Sequence, residues 1–457
     1  MRYGTASLLA GLVLAGCAHK PATPPITALK PPAEWRHAAG STAVQASWWE
    51  GFGDPFLTRL VEDALANNHD LRQAAARLAE AHAMAAAQRA SFWPTLDFGA
   101  GAVRSRSISD VTLKPYLSTG HQELFQASYE VDLWGRINSL SEAADAGEEA
   151  VRAARDATAL GVAASVAQTY IGLLELDAQQ DLARRTLASR ERTLELTRQR
   201  RERGHANALE LAQAEAELHG TAQSLPQIAR ALERQEAAMN LLLGRPAGPI
   251  PRGKLADLRA RGVPDTGLPS ELLRRRPDLA VAEWQLAASD AQLAAARTQW
   301  LPSLRLNASL GRTGASVLRG DPFTIWSIGG SILAPIFNGG RIRALTEASS
   351  ARRDQALIGY ERAVLGAWSE VETQLEGHVR QKEQLEQAES QRAAVAESLR
   401  IAIRRHQEGY SSYLDELLAQ RSLFAVEQGL LQLQSGLLQN EVAIYRSLGG
   451  GWSASPP

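Results

Sequence analysis

The sequence is poor in sulfur and has no excess of either charge. It contains 1 cysteine and 3 methionines, so no disulfide or CxxC metal site can form within one chain, and a methionine-based copper path has little support. The 49 basic and 50 acidic residues nearly cancel, which argues against a broad basic surface for nucleic acid. HExxH, GxSxG and P-loop motifs are absent, so we expect no enzyme activity, no cofactor and no metal site.

The sequence also lacks long hydrophobic runs beyond its N-terminus. No later segment has the roughly 18 consecutive apolar residues of a transmembrane helix, so any membrane crossing is expected to use β-strands. Residues 1–16 have the short basic and apolar regions of a signal peptide. The run Leu14-Ala15-Gly16-Cys17 resembles a bacterial lipobox and predicts lipid attachment at Cys17. A secreted protein with one chance cysteine is the alternative.

The two halves of the chain repeat one pattern. The segment from Asp70 to Leu96 recurs from Asp278 to Leu304, with every matched residue at one constant offset. Such self-similarity indicates an internal structural duplication. Each copy is predicted to run helix, strand, loop, strand, long helix, turn, long helix. After the signal peptide, the predicted parts are a Pro-rich lipid-anchored tether at 17–53, a first repeat at 54–245, a Pro/Gly-rich linker at 246–268 and a second repeat at 269–457.

Each copy has two segments in which apolar and polar residues alternate. They begin at Leu96, Phe125, Leu304 and Trp326, and the second is expected to end at Leu133. Alternation over about ten residues is typical of a barrel strand with lipid on one side and water on the other. A half-buried strand of a soluble sheet would show the same alternation.

The helical segments are long. Apolar residues spaced three and four apart follow residues 138–203 and predict coiled-coil packing. About 65 residues without proline extend on the order of 100 Å as a helix, which is more than a compact domain needs. Pro226 lies inside the next helical segment and predicts an interruption or a kink there.

The predicted strands of one chain are too few to close a membrane barrel. Bacterial barrels start at about eight strands, and open edges in lipid would leave backbone groups unpaired. The chain must therefore combine its strands with those of further copies. A dimer reaches roughly eight strands and a trimer roughly twelve, and the trimer is favoured only if the barrel must conduct.

Several motifs run through nearly all of the mature chain in one order. They are Trp48-Trp49, Phe52-Gly53-Asp54-Pro55, Leu133-Trp134-Gly135-Arg136, Arg275-Arg276-Pro277-Asp278-Leu279, Trp300-Leu301-Pro302, Pro335-Ile336-Phe337-Asn338-Gly339-Gly340 and Tyr445-Arg446-Ser447-Leu448-Gly449-Gly450-Gly451-Trp452. With these motifs the chain resembles the TolC/OprM-like outer-membrane efflux channels, in the lipoprotein branch that serves resistance-nodulation-division pumps. The resemblance implies a mixed α+β membrane protein. Its trimeric twelve-stranded β-barrel, four strands per chain, would be continuous with a long α-helical coiled-coil barrel in the periplasm.

The same resemblance implies a passive trimeric exit duct for drugs or other small solutes. Its expected partners are two further copies of the chain, a periplasmic adaptor protein, an inner-membrane resistance-nodulation-division pump and outer-membrane lipid, with no nucleic acid. The expected location is the cell outer membrane, with a lipid anchor and a large periplasmic portion. A type I protein-secretion channel and a non-conducting periplasmic coiled-coil scaffold are the alternatives.

Gly204 and Gly409 each end a long helix just before a new helical pattern begins. Glycine there is expected to adopt the left-handed conformation of a tight helix-to-helix turn. By resemblance, these two turns are the periplasmic tips that meet the adaptor protein. The predicted tip residues are Arg203, Gly204, His205, Glu408, Gly409 and Tyr410.

Acidic residues follow both predicted turns. In a trimer a carboxylate that faces the axis is presented three times, and such rings select cations or form ion pairs with nearby arginines. The resemblance implies a gate that is closed at rest in this region; an ordinary solvated acidic face is the alternative. The predicted gate residues are Asp415, Glu416, Glu210, Arg404 and Arg405.

Overall fold

The computed structural model describes residues 29–37, 40, 44–108, 110, 112–259, 262–316 and 322–452. The signal peptide and Cys17, the predicted lipid-attachment residue, lie outside the described residues. The chain forms two compact units. The described part of the first unit falls within residues 77–152 and 281–361, and that of the second within residues 29–76, 153–280 and 362–457.

The order of the elements repeats. The first copy consists of α1 (Pro55–Asn67), α2 (His69–Arg89), β1 (Thr95–Ile108), β2 (Pro115–Val131), α3 (Arg136–Glu202) and α4 (Ala208–Leu242). The second copy consists of α5 (Leu272–Arg275), α6 (Pro277–Thr298), β3 (Ser303–Ala315), β4 (Phe323–Leu333), α7 (Arg341–Gln407) and α8 (Tyr413–Ser447). Helices α3 and α7 have 67 residues each, and α4 and α8 have 35 each. Equal lengths in both halves agree with the duplication in the sequence.

The first unit contains one antiparallel sheet in the order β1-β2-β3-β4. All four strands are longer than the alternation predicted. Within the described part of one chain, β1 and β4 each pair on one side only. The apolar face is continuous across the sheet, since Phe98 pairs with Phe125, Phe125 with Leu310, and Leu310 with Trp326. The rings of Phe98 and Phe125 lie 4.9 Å apart.

Strand β2 ends at Val131, so the expectation that it reaches Leu133 is wrong. The Asp132 carboxylate accepts hydrogen bonds from the backbone N–H groups of Ile137 (3.0 Å) and Asn138 (2.8 Å). These are unpaired donors of the first turn of α3. Asp132 therefore ends the strand by satisfying the start of the helix.

The core of the second unit lies around the middle of α3 and the segment before α1. Trp48 is buried and stacks on Tyr445 at 5.4 Å. Asp54 caps α1 by accepting from Phe56 N at 2.8 Å, and the buried Tyr170 hydroxyl donates to its other oxygen at 2.6 Å. The motif around Asp54 thus joins α1 to the interior of the long helix.

Among the described helices, α3 alone has a window long and apolar enough to cross a membrane by composition. The expectation that no such window exists beyond the N-terminus is therefore wrong. Half of the window is buried in the fold, and Val166, Ile171 and Leu174 have no exposed surface. Packing in the core of the second unit accounts for the apolar composition of this helix.

Helix α4 continues through Pro226, so the expected interruption of the helix is wrong. Proline removes one backbone donor from the helical ladder. On either side of it, α4 buries Ala214, Ile228 and Met239. Burial of this apolar stripe along the whole helix compensates for the missing hydrogen bond.

Candidate functional site at the helix tips

Two turns of the second unit have the same geometry. Gly204 has a φ of 78° and Gly409 a φ of 79°, both in the left-handed region. After α3, His205 N donates to Arg200 O at 2.8 Å and Gly204 N to Arg201 O at 2.9 Å. This pair of bonds is a Schellman motif. The prediction of left-handed glycine at both turns is confirmed.

The second turn forms the same two bonds. Tyr410 N donates to Arg405 O at 2.8 Å and Gly409 N to His406 O at 3.1 Å. The six predicted tip residues are all exposed, and the Tyr410 side chain is 74% exposed. The folded chain therefore leaves both turns accessible, and the aromatic ring of Tyr410 at the second turn is mostly exposed.

After each turn, the residue at the start of the next helix is hydrogen-bonded to an acidic residue three positions later. Asn207 accepts from Glu210 N at 2.9 Å, and its amide donates to the Glu210 carboxylate at 3.3 Å. At the second turn, the Ser412 hydroxyl donates to the Asp415 carboxylate at 3.3 Å. Glu210 and Asp415 thus occupy equivalent positions three residues after a helix cap. Asp415 is exposed and Glu210 is half-buried.

Glu416 differs from its neighbour because it is buried. Glu416 is only 8% exposed, and its carboxylate accepts a hydrogen bond from Gln420 at 2.9 Å. Burial raises the pKa of Glu416, and the charge of the nearby Arg200 only partly opposes that rise. The carboxylate therefore faces the packed interior between the two hairpins.

A contact between the hairpins lies beside Glu416. Arg200 Nη1 and His406 Nε2 are 2.9 Å apart. Because an arginine can only donate, His406 Nε2 accepts, which leaves His406 Nδ1 to donate to Ser411 O at 3.3 Å. The His406 ring also lies 5.8 Å from the ring of Tyr413. One imidazole thus connects the end of α3 to both sides of the second turn.

Farther from the turns, three charged side chains connect three helices. Glu217 of α4 pairs with Arg190 of α3 and with Arg421 of α8, whose Nε donates at 2.6 Å. The Arg190 side chain is 6% exposed and that of Glu217 is 13% exposed. Leu194, Ala214, Tyr413 and Leu417 form a small apolar cluster in the same part of the hairpins. We call Arg190, Glu217 and Arg421 the hairpin triad.

The sequence did not indicate the hairpin triad. All three residues belong to charged helical faces, and only the packing of the hairpins decides which faces meet. The predicted partners Arg404 and Arg405 are exposed and form no ion pair with Asp415 or Glu416 in the described chain. Within one chain, the residues that lie beside Glu416 are Arg200 and His406, not the predicted Arg404 and Arg405.

Comparison with known proteins gives a consistent result. Residues 60–245 and 268–450 match the family described as Outer membrane efflux protein. A pyoverdine export outer membrane protein of Pseudomonas putida, OpmQ, is 34% identical over 95% of both chains. A toluene efflux pump outer membrane protein of the same species, TtgF, is 34% identical over 89% of this chain and 86% of its own.

Solved structures agree over a similar length. The outer-membrane channel OprN superposes with a TM-score of 0.85 at 31% identity, covering 93% of this chain and 98% of its own. The open state of the Neisseria gonorrhoeae MtrE channel gives a TM-score of 0.82 at 30% identity, covering 93% and 97%. The likeness extends over both repeats, including the sheet and both hairpins.

Proposed function

The chain belongs to the outer membrane efflux protein family, and from this premise we propose that three copies of it form a passive exit duct that delivers small solutes from a resistance-nodulation-division pump. Proteins of this family are outer-membrane channels with a large helical periplasmic part and four strands per chain. They form trimers, work with adaptor proteins and inner-membrane pumps, and are not enzymes.

The observation that carries the proposal is the sheet with an apolar and a polar face. Phe98, Phe125 and Trp326 lie on one face, whereas the neighbouring Asp97, Gln126 and Ser327 lie on the other. Joining β1 of one copy to β4 of the next would pair both free edges, as lipid requires. The closed barrel would then have lipid outside and water inside, which a non-conducting scaffold does not need.

The two turns are proposed as the docking sites for the adaptor protein. Arg203, His205, Glu408 and Tyr410 are exposed there, and each turn is held rigid by its Schellman bonds. Rigid, exposed and adjacent to long hairpins, the turns are suited to a partner that reaches the chain from the periplasm.

The gate is proposed to be held closed by contacts between the two hairpins of one chain. The hairpin triad and the Arg200–His406 hydrogen bond connect the first hairpin to the second. Opening requires the hairpins to separate, so contacts made only in the closed state set its population. Asp415 and Glu210, which are not locked in ion pairs, remain proposed as charges near the entrance.

The test of the gate is single-channel recording of purified trimers in planar bilayers. E217Q leaves Arg190 buried without its ion pair, which destabilises the closed packing by roughly 3 kcal/mol. The open probability of the E217Q channel is therefore expected to rise strongly. E215Q is the matched control, because Glu215 lies on the same helix but forms an exposed pair with Arg198 at 3.3 Å. Equal open probabilities for E217Q and the unmodified channel contradict the gate. A complete lack of conductance in every protein contradicts the duct.

Cys17 is proposed to carry the lipid anchor, on the strength of the lipobox-like run before it. Mass spectrometry of the mature protein tests this. The expected N-terminal peptide begins at Cys17 with added acyl mass, and C17S is expected to lose it. An unmodified Cys17 in the mature protein contradicts the assignment.

The identity of the solute is expected to depend on the pump. The relatives are named for pyoverdine, toluene and antibiotic export, so small molecules of different chemistry are associated with similar chains. These names favour small-solute efflux over type I protein secretion. Export assays with the pump and adaptor reconstituted beside this channel test the choice, and a secreted protein as the transported species would overturn it.

A further inference from the structure

Charge is unevenly distributed over the apolar face of the sheet. From the end nearest the helices, this face carries no charged side chain along Leu96–Ala102, Phe125–Val131, Leu304–Leu310 and Trp326–Ile332. Beyond these segments, toward the strand-connecting loops, charged and titratable side chains appear on the same face. They are Arg104, Arg106, His121, Glu123 and Arg312.

Strand alternation places these residues on one face. Side chains two apart point the same way, so Arg104 and Arg106 share the face of Phe98, and Arg312 shares the face of Leu310. The register adds that Glu123 pairs with Arg312 and that His121 pairs with Ala102. The arginines therefore lie on the outward, lipid-facing side and do not line the lumen.

The three arginines are exposed and unpartnered within the described chain. Among the described residues, no side-chain hydrogen bond or ion pair involves Arg104, Arg106 or Arg312. Near the helix end of the sheet, by contrast, Arg305 pairs with Glu130 on the opposite face at 3.5 Å. Glu123 lies across from Arg312 and offsets part of its charge. In the described strands, Arg104 and Arg106 lie opposite Thr119 and Leu117, so neither has an acidic residue directly across from it.

The depth of these residues fits the edge of a membrane. The charge-free segments extend about 20 Å along the strands, which at a tilt of roughly 35–45° is about 15 Å of membrane depth. The apolar band of an outer-membrane barrel is about 25 Å tall, so the arginines lie in the outer part of that band and at its edge. The methylene groups of an arginine side chain can lie along an apolar surface while the guanidinium reaches the headgroup region. The helices leave the sheet at its other end, so the arginine end faces the outer leaflet.

We propose that Arg104 and Arg106 bind one phosphate group of lipid headgroups in the outer leaflet, and that Arg312, two strands away, contacts a second phosphate. The planar guanidinium donates two parallel hydrogen bonds to a phosphate, and two arginines on one strand can hold one phosphate between them. Three copies of the site surround the barrel. The inference rests on the barrel crossing the membrane, but not on the gate or on the transported solute.

The test is lipid binding to the purified full-length trimer. Trimers in detergent are titrated with diphosphorylated lipid A, with the same lipid after removal of its phosphates, and with inorganic phosphate. R104Q/R106Q/R312Q is expected to bind the phosphorylated lipid roughly tenfold more weakly or worse. R59Q/R185Q/R192Q is the matched control, since it removes the same charge from exposed helical positions, and it is expected to bind like the unmodified trimer.

Each outcome decides the inference. Loss of binding in the strand variant alone, with preference for the phosphorylated lipid, supports it. Equal binding by both variants, or equal binding of the lipid without phosphates, overturns it. Tight binding of inorganic phosphate alone would indicate a free-anion site and overturn the lipid assignment. If the triple variant does not form trimers, R104Q/R106Q is measured in its place, and conductance in uncharged bilayers separates a failed lipid site from a failed duct.

Discussion

At the scale of single residues, the interior of the hairpins holds groups that are costly to bury. Glu416 is the clearest case, because it is buried near the second turn with one neutral hydrogen-bond donor, Gln420. Its pKa is raised, chiefly by burial. A carboxyl with a raised pKa in the folded state stabilises the packing at low pH, and that contribution is lost as the pH rises through the raised pKa.

We predict that E416Q removes this pH dependence. Glutamine keeps the shape and the hydrogen bond but cannot ionise, so the second turn of E416Q should stay protected at neutral pH. Hydrogen exchange of residues 410–420, corrected for intrinsic rates, is the measurement. The unmodified protein should lose protection between acidic and neutral pH, whereas D415N, altered at an exposed neighbour, should behave like the unmodified protein. Identical pH profiles for E416Q and the unmodified protein contradict the prediction.

Tyr170 carries a second prediction at this scale. Its hydroxyl donates to Asp54 at 2.6 Å and accepts from Gly253 N at 3.0 Å. Y170F leaves a buried carboxylate oxygen and a backbone donor without their partner, which should cost about 1–3 kcal/mol. Urea unfolding followed by helical circular dichroism measures the change. Y410F, which alters an exposed hydroxyl, is the control, and equal shifts of both variants would contradict the role given to Tyr170.

At the scale of elements, the sequence predicted the long helices better than the strands. Helix α3 was expected over residues 138–203 and is observed at Arg136–Glu202, because a long heptad pattern ends at a glycine turn. Strand β1 extends beyond Ala102 to Ile108. Arginine occupies lipid-facing positions there, so the alternation of apolar and polar residues that predicts a strand is interrupted. The hairpin triad was missed because it depends on which helical faces meet after folding.

The glycine turns provide a prediction for the hairpin. G204A forces a left-handed conformation on an alanine and should destabilise the first turn by about 1 kcal/mol. G220A is matched to it, since Gly220 lies within α4 with open space around its Cα, and should stabilise the helix by a similar amount. Hydrogen exchange of residues 200–208 and 215–225 measures both effects. Changes of the same sign would contradict the assigned roles of the two glycines.

At the scale of the whole molecule, closure of the barrel assigns opposite surroundings to adjacent residues of β4. Ile328 is 80% exposed on the apolar face, and Ser327 lies on the polar face, where its hydroxyl is 2.7 Å from that of Ser309. In an isolated soluble sheet both positions would contact water. In a closed trimeric barrel, Ile328 contacts lipid and Ser327 contacts the water of the lumen.

The last prediction follows from this difference. I328R places a charge against lipid, at a cost of about 2–4 kcal/mol per chain near the bilayer midplane, and is expected to abolish heat-resistant trimers in the membrane. S327R adds the same charge on the adjacent residue but toward water, so trimers should form, with lower conductance and weaker cation preference because three arginines line the lumen. Gel mobility before and after heating, followed by bilayer recording, distinguishes the two. Normal trimers from I328R would show that this face of the sheet does not contact lipid, and the closed barrel would have to be abandoned.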